Sequence, residues 1–264
     1  MKVSSSKIPP EDSGPRYSAP ALEKGLDILE RLAEERLPLS QVELSQALGR
    51  TANEIYRMLA CLEERGYVVR EEASGKFRLS LRLYELAHKH NPTTQLRRAA
   101  RMPMEALAEE TGQACHLSVL HGRSLLVMME RMPLRQICLA VGEGAVVSLL
   151  KSSSGRMLLS RMDDVDDFLA SVPEFTALSS SAKKQFTQEL VAIRDQSSLV
   201  AGSDVTAAVS DIVAPVGVRG TDTFAILASC CLIGPESDGK TLKRYQKAVV
   251  ECAAQINRNL GITP

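Results

Sequence analysis

The chain has 264 residues, 44% hydrophobic and 24% charged, with Lys+Arg and Asp+Glu equal at 32 each. This is the composition of a globular chain able to bury a core, with length for one large or two ordinary domains. A zero net charge excludes a molecule-wide positive field, so any nucleic-acid binding must rest on a local patch.

Residues 1–18, within MKVSSSKIPPEDSGPRYSAP, have no apolar signal core and read as a disordered lead-in. No later apolar run reaches the roughly 18 residues that a membrane helix needs. Six cysteines (Cys61, Cys115, Cys138, Cys230, Cys231, Cys252) are scattered without framework or zinc-finger spacing, which points to reduced thiols and a cytoplasmic chain.

Ala21 to Ala33 places Leu22, Leu26, Leu29, Leu32 and Ala33 on one face, predicting a first helix. Two capping boxes follow. Ser40 precedes Glu43 by three residues and Thr51 precedes Glu54 by three. In each, the hydroxyl accepts a first-turn N–H and the glutamate reaches back to the cap's own N–H. Leu39 and Leu44 stand where a hydrophobic staple would close. Gly49 stops the first of these helices, and the second buries Ile55, Met58, Leu59 and Leu62. Helix, tight turn and helix make a helix-turn-helix. Gly66 ends the second helix. Tyr67–Arg70 and Lys76–Leu79 then form a hairpin around the polar turn at Glu71–Gly75, which reads as a wing. Arg50, Arg57, Arg65, Arg70, Lys76, Arg78 and Arg82 surround this unit as candidate phosphate contacts, interleaved with glutamates.

Ser80 opens a further helix that runs out at His88–Pro92, the expected connection between domains. A longer helix from about Thr93 ends at Gly112. Strands are predicted at Ala114–Leu120, Leu125–Glu130, Gln136–Val141 and Ala145–Leu149, followed by a helix opened by Ser152–Gly155. Two polar helices, near Val165–Ala170 and Ser181–Arg194, precede strands at Ala207–Val216 and Phe224–Ile233, and a helix over Lys240–Leu260 closes the chain. The second half is therefore an α/β sensor-type domain with an antiparallel sheet.

APALEKGLDILERLAE, the helix from Gly49-Arg50-Thr51 to Tyr56-Arg57-Met58-Leu59, and LEERGYVVRE resemble the IclR family of bacterial transcription regulators. So do FRLSLRLYELA, EETGQACHLSVL, SSSGRMLL and the VAPV strand. The resemblance spans roughly residues 19 to 260 and implies an α+β chain. Its parts would be a winged helix-turn-helix DNA-binding domain over 19–79, a linker helix over 80–92 and a GAF-like effector-binding domain over 93–264. It also implies homodimers or homotetramers, double-stranded operator DNA and a small-molecule effector as partners, and no membrane.

By that reading the helix from Thr51 enters the major groove. Asn53 is suited to adenine and Glu54 to cytosine N4, although a capping glutamate is also occupied by the backbone. Family members often carry a basic residue and Ser or Thr where this chain has Ala52, Asn53 and Glu54, implying its own operator sequence. Arg50, Arg57 and Lys76 suit phosphate or guanine, and Ser40, Thr51, Ala52 and Tyr56 complete the candidate DNA contacts. Carried over by position, the effector site comprises Ser153, Ser154, Asp211, Cys231 and Ile233, with Met128 and Leu149 as apolar walls. A helix start with serines suits an organic acid. Asp211 departs from the family's small or thiol residue. Facing inward it would repel an anion and favour hydroxyls or a cation; facing solvent it would do neither.

No nucleophile elbow, Gly-rich phosphate loop or dinucleotide fingerprint occurs, so the expectation is a non-enzyme without cofactor or metal. Cys115 and His116, and likewise Cys230 and Cys231, should face opposite sides of their strands. The competing class is a GAF-type small-molecule, redox or metal sensor acting through protein partners.

Overall fold

The computed structural model describes residues 18–89, 93–134, 138–202, 209–221, 223–232 and 239–262, which fall into two compact units, Met1–Asn91 and Pro92–Pro264.

In the first unit, α1 (Pro20–Glu34) opens with proline at its first turn, where the missing N–H costs nothing. α2 (Gln41–Ala47) and α3 (Ala52–Glu64) both begin in complete capping boxes, at Ser40/Glu43 and Thr51/Glu54. Gly49 at φ 61° reverses the chain after α2: its N–H reaches the Gln46 carbonyl, and the Arg50 N–H reaches that of Ser45. Both last-turn carbonyls are thereby satisfied, the αL ending that glycine permits. β1 (Val68–Arg70) and β2 (Phe77–Leu79) pair antiparallel with Arg70 opposite Phe77, and Leu39 exchanges two backbone hydrogen bonds with Phe77. α4 (Arg82–Lys89) follows, with the Arg82 N–H on the Ser80 hydroxyl. The connection expected at His88–Pro92 falls partly on residues 90–92, outside the described residues.

Ile28, Leu32, Leu44, Ile55, Leu59, Val68 and Phe77 form the core of this unit, and Leu39 packs against it as the staple requires. The face of α1 differs from the expectation. Ile28 and Leu32 are buried, but Leu22 and Leu26 are exposed. α1 carries apolar residues on more than one stripe, and the stripe that meets α3 is the one that buries. Leu81, Tyr84 and Leu86, beside and within α4, are also exposed.

In the second unit, α5 (Thr94–Thr111) precedes β3 (Cys115–His121), β4 (Ser124–Arg131) and β5 (Val146–Ser148). α6 (Ser153–Ser160), α7 (Val165–Ala170), α8 (Pro173–Thr176) and α9 (Ser180–Ile193) come next. β6 (Leu199–Gly202), β7 (Val209–Val216), β8 (Ala225–Leu232) and α10 (Gly239–Asn259) complete the chain. The six strands form one antiparallel sheet in the order β5-β4-β3-β8-β7-β6.

One face of the sheet packs on α5 and α10 through residues such as Leu107, Leu117, Ile212, Leu227, Val249 and Ile256. The other packs on α6, α7 and α9 through Leu149, Leu158, Leu169, Leu190, Val213 and Ile226. A sheet covered on both faces reads as continuous apolar runs, which is why the strands of this half show little alternation.

The strand expected at Gln136–Val141 is not formed over Cys138–Val141, and residues 135–137 are outside the described residues. The free edge of β4 is taken by β5 instead, leaving the apolar run no ladder to join. β6 and the single turn α8 went unread because each is too short to show a period.

Two long-range bonds brace this unit. Pro103 lies inside α5 and has no N–H for the carbonyl of Ala99. The Asn259 side-chain amide donates to that carbonyl at 2.8 Å. Two residues earlier is Asn257, whose Oδ1 accepts from the Gly217 N–H at 2.8 Å and ties the end of β7 to α10. Between Leu117 and Ser118 the β3–β4 register slips, leaving Met128 as the extra residue of a bulge, with Arg97 of α5 donating to its carbonyl.

Candidate nucleic-acid interface and effector face

In α3, Ile55 and Leu59 are buried, with Met58 and Leu62 packed against the same core. The opposite ridge presents Asn53, Tyr56, Arg57 and Ala60 to solvent. These are i, i+3, i+4 and i+7 neighbours, so they stand as one stripe at the N-terminal half of the helix. Arg57 has no ion pair or hydrogen bond with any described residue.

Its charged neighbours are engaged. Glu54 accepts from the Thr51 N–H and hydroxyl, both at 2.9 Å, and from Lys24 Nζ at 3.1 Å. Arg50 pairs with Asp27 of α1 at 2.7 Å, and Lys76 pairs with Glu43 at 3.1 Å. Gln41 of α2 donates to the Ala52 carbonyl at 2.9 Å. The start of α3 is therefore held from three sides, and Glu54 belongs to that scaffold. Lys24, Asp27 and Gln41 were not legible as parts of this site, since their partners lie 11 to 30 residues away. The Ser40 hydroxyl accepts the Glu43 N–H.

The backbone and hydroxyl bonds from Ser40 and Thr51, followed by Lys76 and Lys24, hold the carboxyls of Glu43 and Glu54 at about 2 instead of 4.5. A carboxyl depressed in the folded state stabilises it above the unfolded value and loses that contribution as pH falls. The stability of this unit should therefore decline between about 4.5 and 2. Glu43→Gln and Glu54→Gln should each flatten that slope, read as urea-unfolding midpoints across the pH series. An unaltered slope in both variants would refute the coupling.

On the second unit, Ser152 caps α6 by accepting the Gly155 N–H at 3.0 Å. Ser153 and Ser154 are buried in its first turn, and Ser153 donates to Asp211 Oδ2 at 3.4 Å. Asp211 thus faces α6 and not open solvent. α6 sits directly on the backbone of the preceding turn. A Cβ on Gly155 would stand 2.1 Å from the Leu149 carbonyl oxygen, and Leu149 itself is buried in the α6 layer.

Register decides the rest of this face. Asp211 lies opposite Cys230, and Ser210 opposite Cys231. Directly opposed residues share a face, so Cys230 accompanies Asp211 while Cys231 points into the α5–α10 core. Met128, turned by its bulge, joins that other core as well. Of the expected effector residues, Leu149, Ser153, Ser154 and Asp211 come together, Cys231 and Met128 do not, and Ile233 lies outside the described residues.

The same face carries two groups that the sequence had not singled out for it. His116 opposes Ala228, and Ser118 opposes Ile226. His116 is buried, which pulls its imidazole down to about 4 and keeps it neutral. The Ser118 hydroxyl is wholly buried without a hydrogen-bond partner among the described residues.

Burial pushes the thiols of Cys230 and Cys252 up to about 12 and that of Cys231 to about 11, so they remain protonated at neutral pH. Among the described residues, no group of three or more His, Cys, Asp or Glu side chains is placed to hold a metal ion, and no helix is long and apolar enough to cross a membrane.

A family profile described as the IclR helix-turn-helix domain matches residues 21–72, and one described as the bacterial transcriptional regulator IclR C-terminal matches residues 88–258. The HTH-type transcriptional regulator XynR of Escherichia coli (strain K12) is 22% identical over 248 residues, covering 91% of this chain and 97% of that protein. The glycerol operon regulatory protein of Streptomyces griseus is 25% identical over 252 residues, covering 91% and 96%. An IclR homologue complexed with 4-hydroxybenzoate, from Microbacterium hydrocarbonoxydans, shares the fold with a TM-score of 0.73 at 19% identity, covering 91% of this chain and 99% of that one. The chain belongs to the IclR family of bacterial transcription regulators, with a DNA-binding helix-turn-helix domain and a C-terminal effector domain.

Proposed function

We propose that the solvent ridge of α3 reads the major groove of operator DNA, and that a small molecule held between α6 and the Asp211 face adjusts that affinity. The observation that carries the DNA reading is Arg57. It is an exposed cation without a partner among the described residues, on the same stripe as Asn53 and Tyr56, whereas Arg50, Glu54 and Lys76 are held by other side chains. Thr51 and Ala52 open the helix, and Ser40 stands at the start of α2 among the candidate phosphate contacts. The Lys76–Glu43 pair is exposed and worth at most about 1 kcal/mol, so Lys76 can exchange its carboxylate for a phosphate, whereas the Arg50–Asp27 pair is part-buried and holds its cation more firmly. Glu54 leaves the contact set.

The protein acts as a cytoplasmic homodimer or homotetramer on a pseudo-palindromic operator, and it is not an enzyme. Two winged units then meet half-sites about one helical turn, or a multiple of it, apart. Leu22, Leu26 and Tyr84, exposed within the first unit, support self-association there. A homologue complexed with 4-hydroxybenzoate supports a small-molecule signal. Such a ligand changes DNA affinity only through its preference for one state of the protein, a coupling of typically about 1–3 kcal/mol.

Arg57→Ala should weaken binding to the chain's own upstream DNA at least about tenfold, the lower range for loss of a base-reading arginine. The melting transition of the second unit should not change. Asn53→Ala should narrow the gap between operator and random DNA. Fluorescence anisotropy across a salt series separates the two effects. Wild-type affinity in Arg57→Ala would reject this ridge as the reading surface, and would favour a winged helix that meets a protein.

A further inference from the structure

We propose that Lys24 and Asp27 of α1 are positioning residues for the reading helix, setting how well it tells operator from random DNA. They grip Glu54 and Arg50, on either side of the Thr51 cap, and hold the start of α3 in one placement. The inference rests on the DNA reading above and deepens it, since neither residue stands on the α3 ridge.

Lys24 and Asp27 lie three residues apart on α1, so they are neighbours on one side of that helix. Lys24 Nζ stands 3.1 Å from Glu54 Oε1, while Glu54 Oε2 accepts the Thr51 N–H and hydroxyl. The carboxylate thus divides its two oxygens between α1 and the cap of its own helix. Asp27 Oδ2 accepts from Arg50 Nη2 at 2.7 Å, and Arg50 Nε is shut off from solvent, so the guanidinium is turned toward α1. Gln41 of α2 donates to the Ala52 carbonyl at 2.9 Å. Residues 50, 52 and 54 are therefore each tied to α1 or α2.

The apolar contact between α1 and α3 leaves a freedom that these pairs remove. Ile28 and Leu32 of α1 share one core with Ile55 and Leu59 of α3, and both sets repeat at four residues. A slip of one turn would set Ile28 in the place of Leu32, exchanging apolar for apolar. The same slip would carry Lys24 to Arg50, or Asp27 to Glu54, and so oppose like charges. A crossed pattern of charge specifies one register by penalising the alternative. Exposed pairs of this kind add little stability, so their contribution is the placement of α3 and not its folding.

Placement matters unequally to the two kinds of DNA. Base reading by Asn53, Tyr56 and Arg57 needs contact geometry held to about 0.5 Å, whereas phosphate contact with random duplex is sequence-blind and tolerant. Loosening the start of α3 therefore costs the operator complex and spares the random one. Removing the charge at Asp27 also lessens repulsion from phosphate and releases Arg50, which favours random DNA further.

The experiment measures affinity of the full chain, by fluorescence anisotropy across a salt series, for two duplexes. One is enriched by the wild-type chain from a random pool, and the other is its scrambled counterpart. Asp27→Asn and Lys24→Gln should each bind the enriched duplex at least about fivefold more weakly, the lower range for one misplaced base contact. Affinity for the scrambled duplex should stay within about twofold, or rise in Asp27→Asn, because phosphate contact supplies it. Asp27→Arg combined with Arg50→Asp rebuilds the pair with its charges reversed, and should recover most of the discrimination. Equal losses on both duplexes would overturn the proposal. Accompanied by a lowered first melting transition they mark a role in folding, and accompanied by a salt slope reduced by about one, with no recovery in the double exchange, they mark phosphate contacts. Unchanged discrimination in both single variants, beside an Arg57→Ala variant that does lose the enriched duplex, would leave the α3 ridge in place and remove the clamp. If Arg57→Ala binds like the wild type, the ridge reading fails and the clamp falls with it.

Discussion

Alanine at Gly155 is expected to disable the effector domain while leaving the DNA-binding unit folded. The new Cβ would lie 2.1 Å from the Leu149 carbonyl oxygen, and 2.5 Å from its Cα and carbonyl carbon. Backbone cannot swing aside like the end of a lysine, so α6 must lift off the turn that precedes it. Met157, Leu158 and Leu159 are anchored in the core beneath, so the lift strains that packing too. Overpacking of this kind costs typically about 1–3 kcal/mol, and a backbone collision belongs at the upper end or beyond. Because Ser153 rides on the same turn, its bond to Asp211 should break, and ligand response should fall with stability. Differential scanning calorimetry should show the transition of the second unit lowered by several degrees, with operator affinity of the free protein retained. Gly25→Ala is the matched control. A Cβ there meets nothing within 4 Å, and alanine in a helix interior gains roughly 0.5–1 kcal/mol over glycine. A Gly155→Ala protein that melts and responds like the wild type would show that α6 is not pressed on the Leu149 turn.

The second large effect is expected in the other unit. Ile55 is fully buried in a core whose fully or nearly buried apolar side chains, among the described residues, are Ile28, Leu32, Leu44, Leu59, Val68 and Phe77 besides itself. Truncating a buried isoleucine to alanine typically costs about 2–5 kcal/mol, a large share of the roughly 5–15 kcal/mol that a domain commands and the more so for a small one. Ile55 lies on the buried side of α3, directly behind Asn53, Tyr56 and Arg57. Ile55→Ala should therefore abolish operator binding by unfolding the reading helix, without removing any candidate contact. Circular dichroism should show a lost or strongly lowered first transition, and an effector-domain transition that stays in place. Loss of both transitions together would mean that the two units unfold as one. Comparison with Arg57→Ala then separates a missing contact from a missing fold.

Most of the reading unit was legible before any coordinates. Ser40 with Glu43 and Thr51 with Glu54 interact over three residues, and the glycine endings at Gly49 and Gly66 satisfy carbonyls only three to five residues back. Such signals are local, so helix, turn, helix and wing followed from the residues alone, as did the family resemblance that these segments carry. The serine-opened start of α6 was legible for the same reason.

What the residues by themselves determined is thus the set of short-range structures, and the presence of a capped helix-turn-helix and an antiparallel sheet. Tertiary structure alone decided which groups share a site. It buried Ile28 and Leu32 of α1 rather than Leu22 and Leu26, and committed Glu54 to Lys24 and Arg50 to Asp27. It also inserted the Met128 bulge and set Asp211 opposite Cys230 instead of Cys231. The physical reason is the period of the strand. One residue of register moves a side chain to the other face, and the register of β7 against β8 comes from the closure of a turn and the packing of two helical layers, neither of which is a property of any short window of sequence.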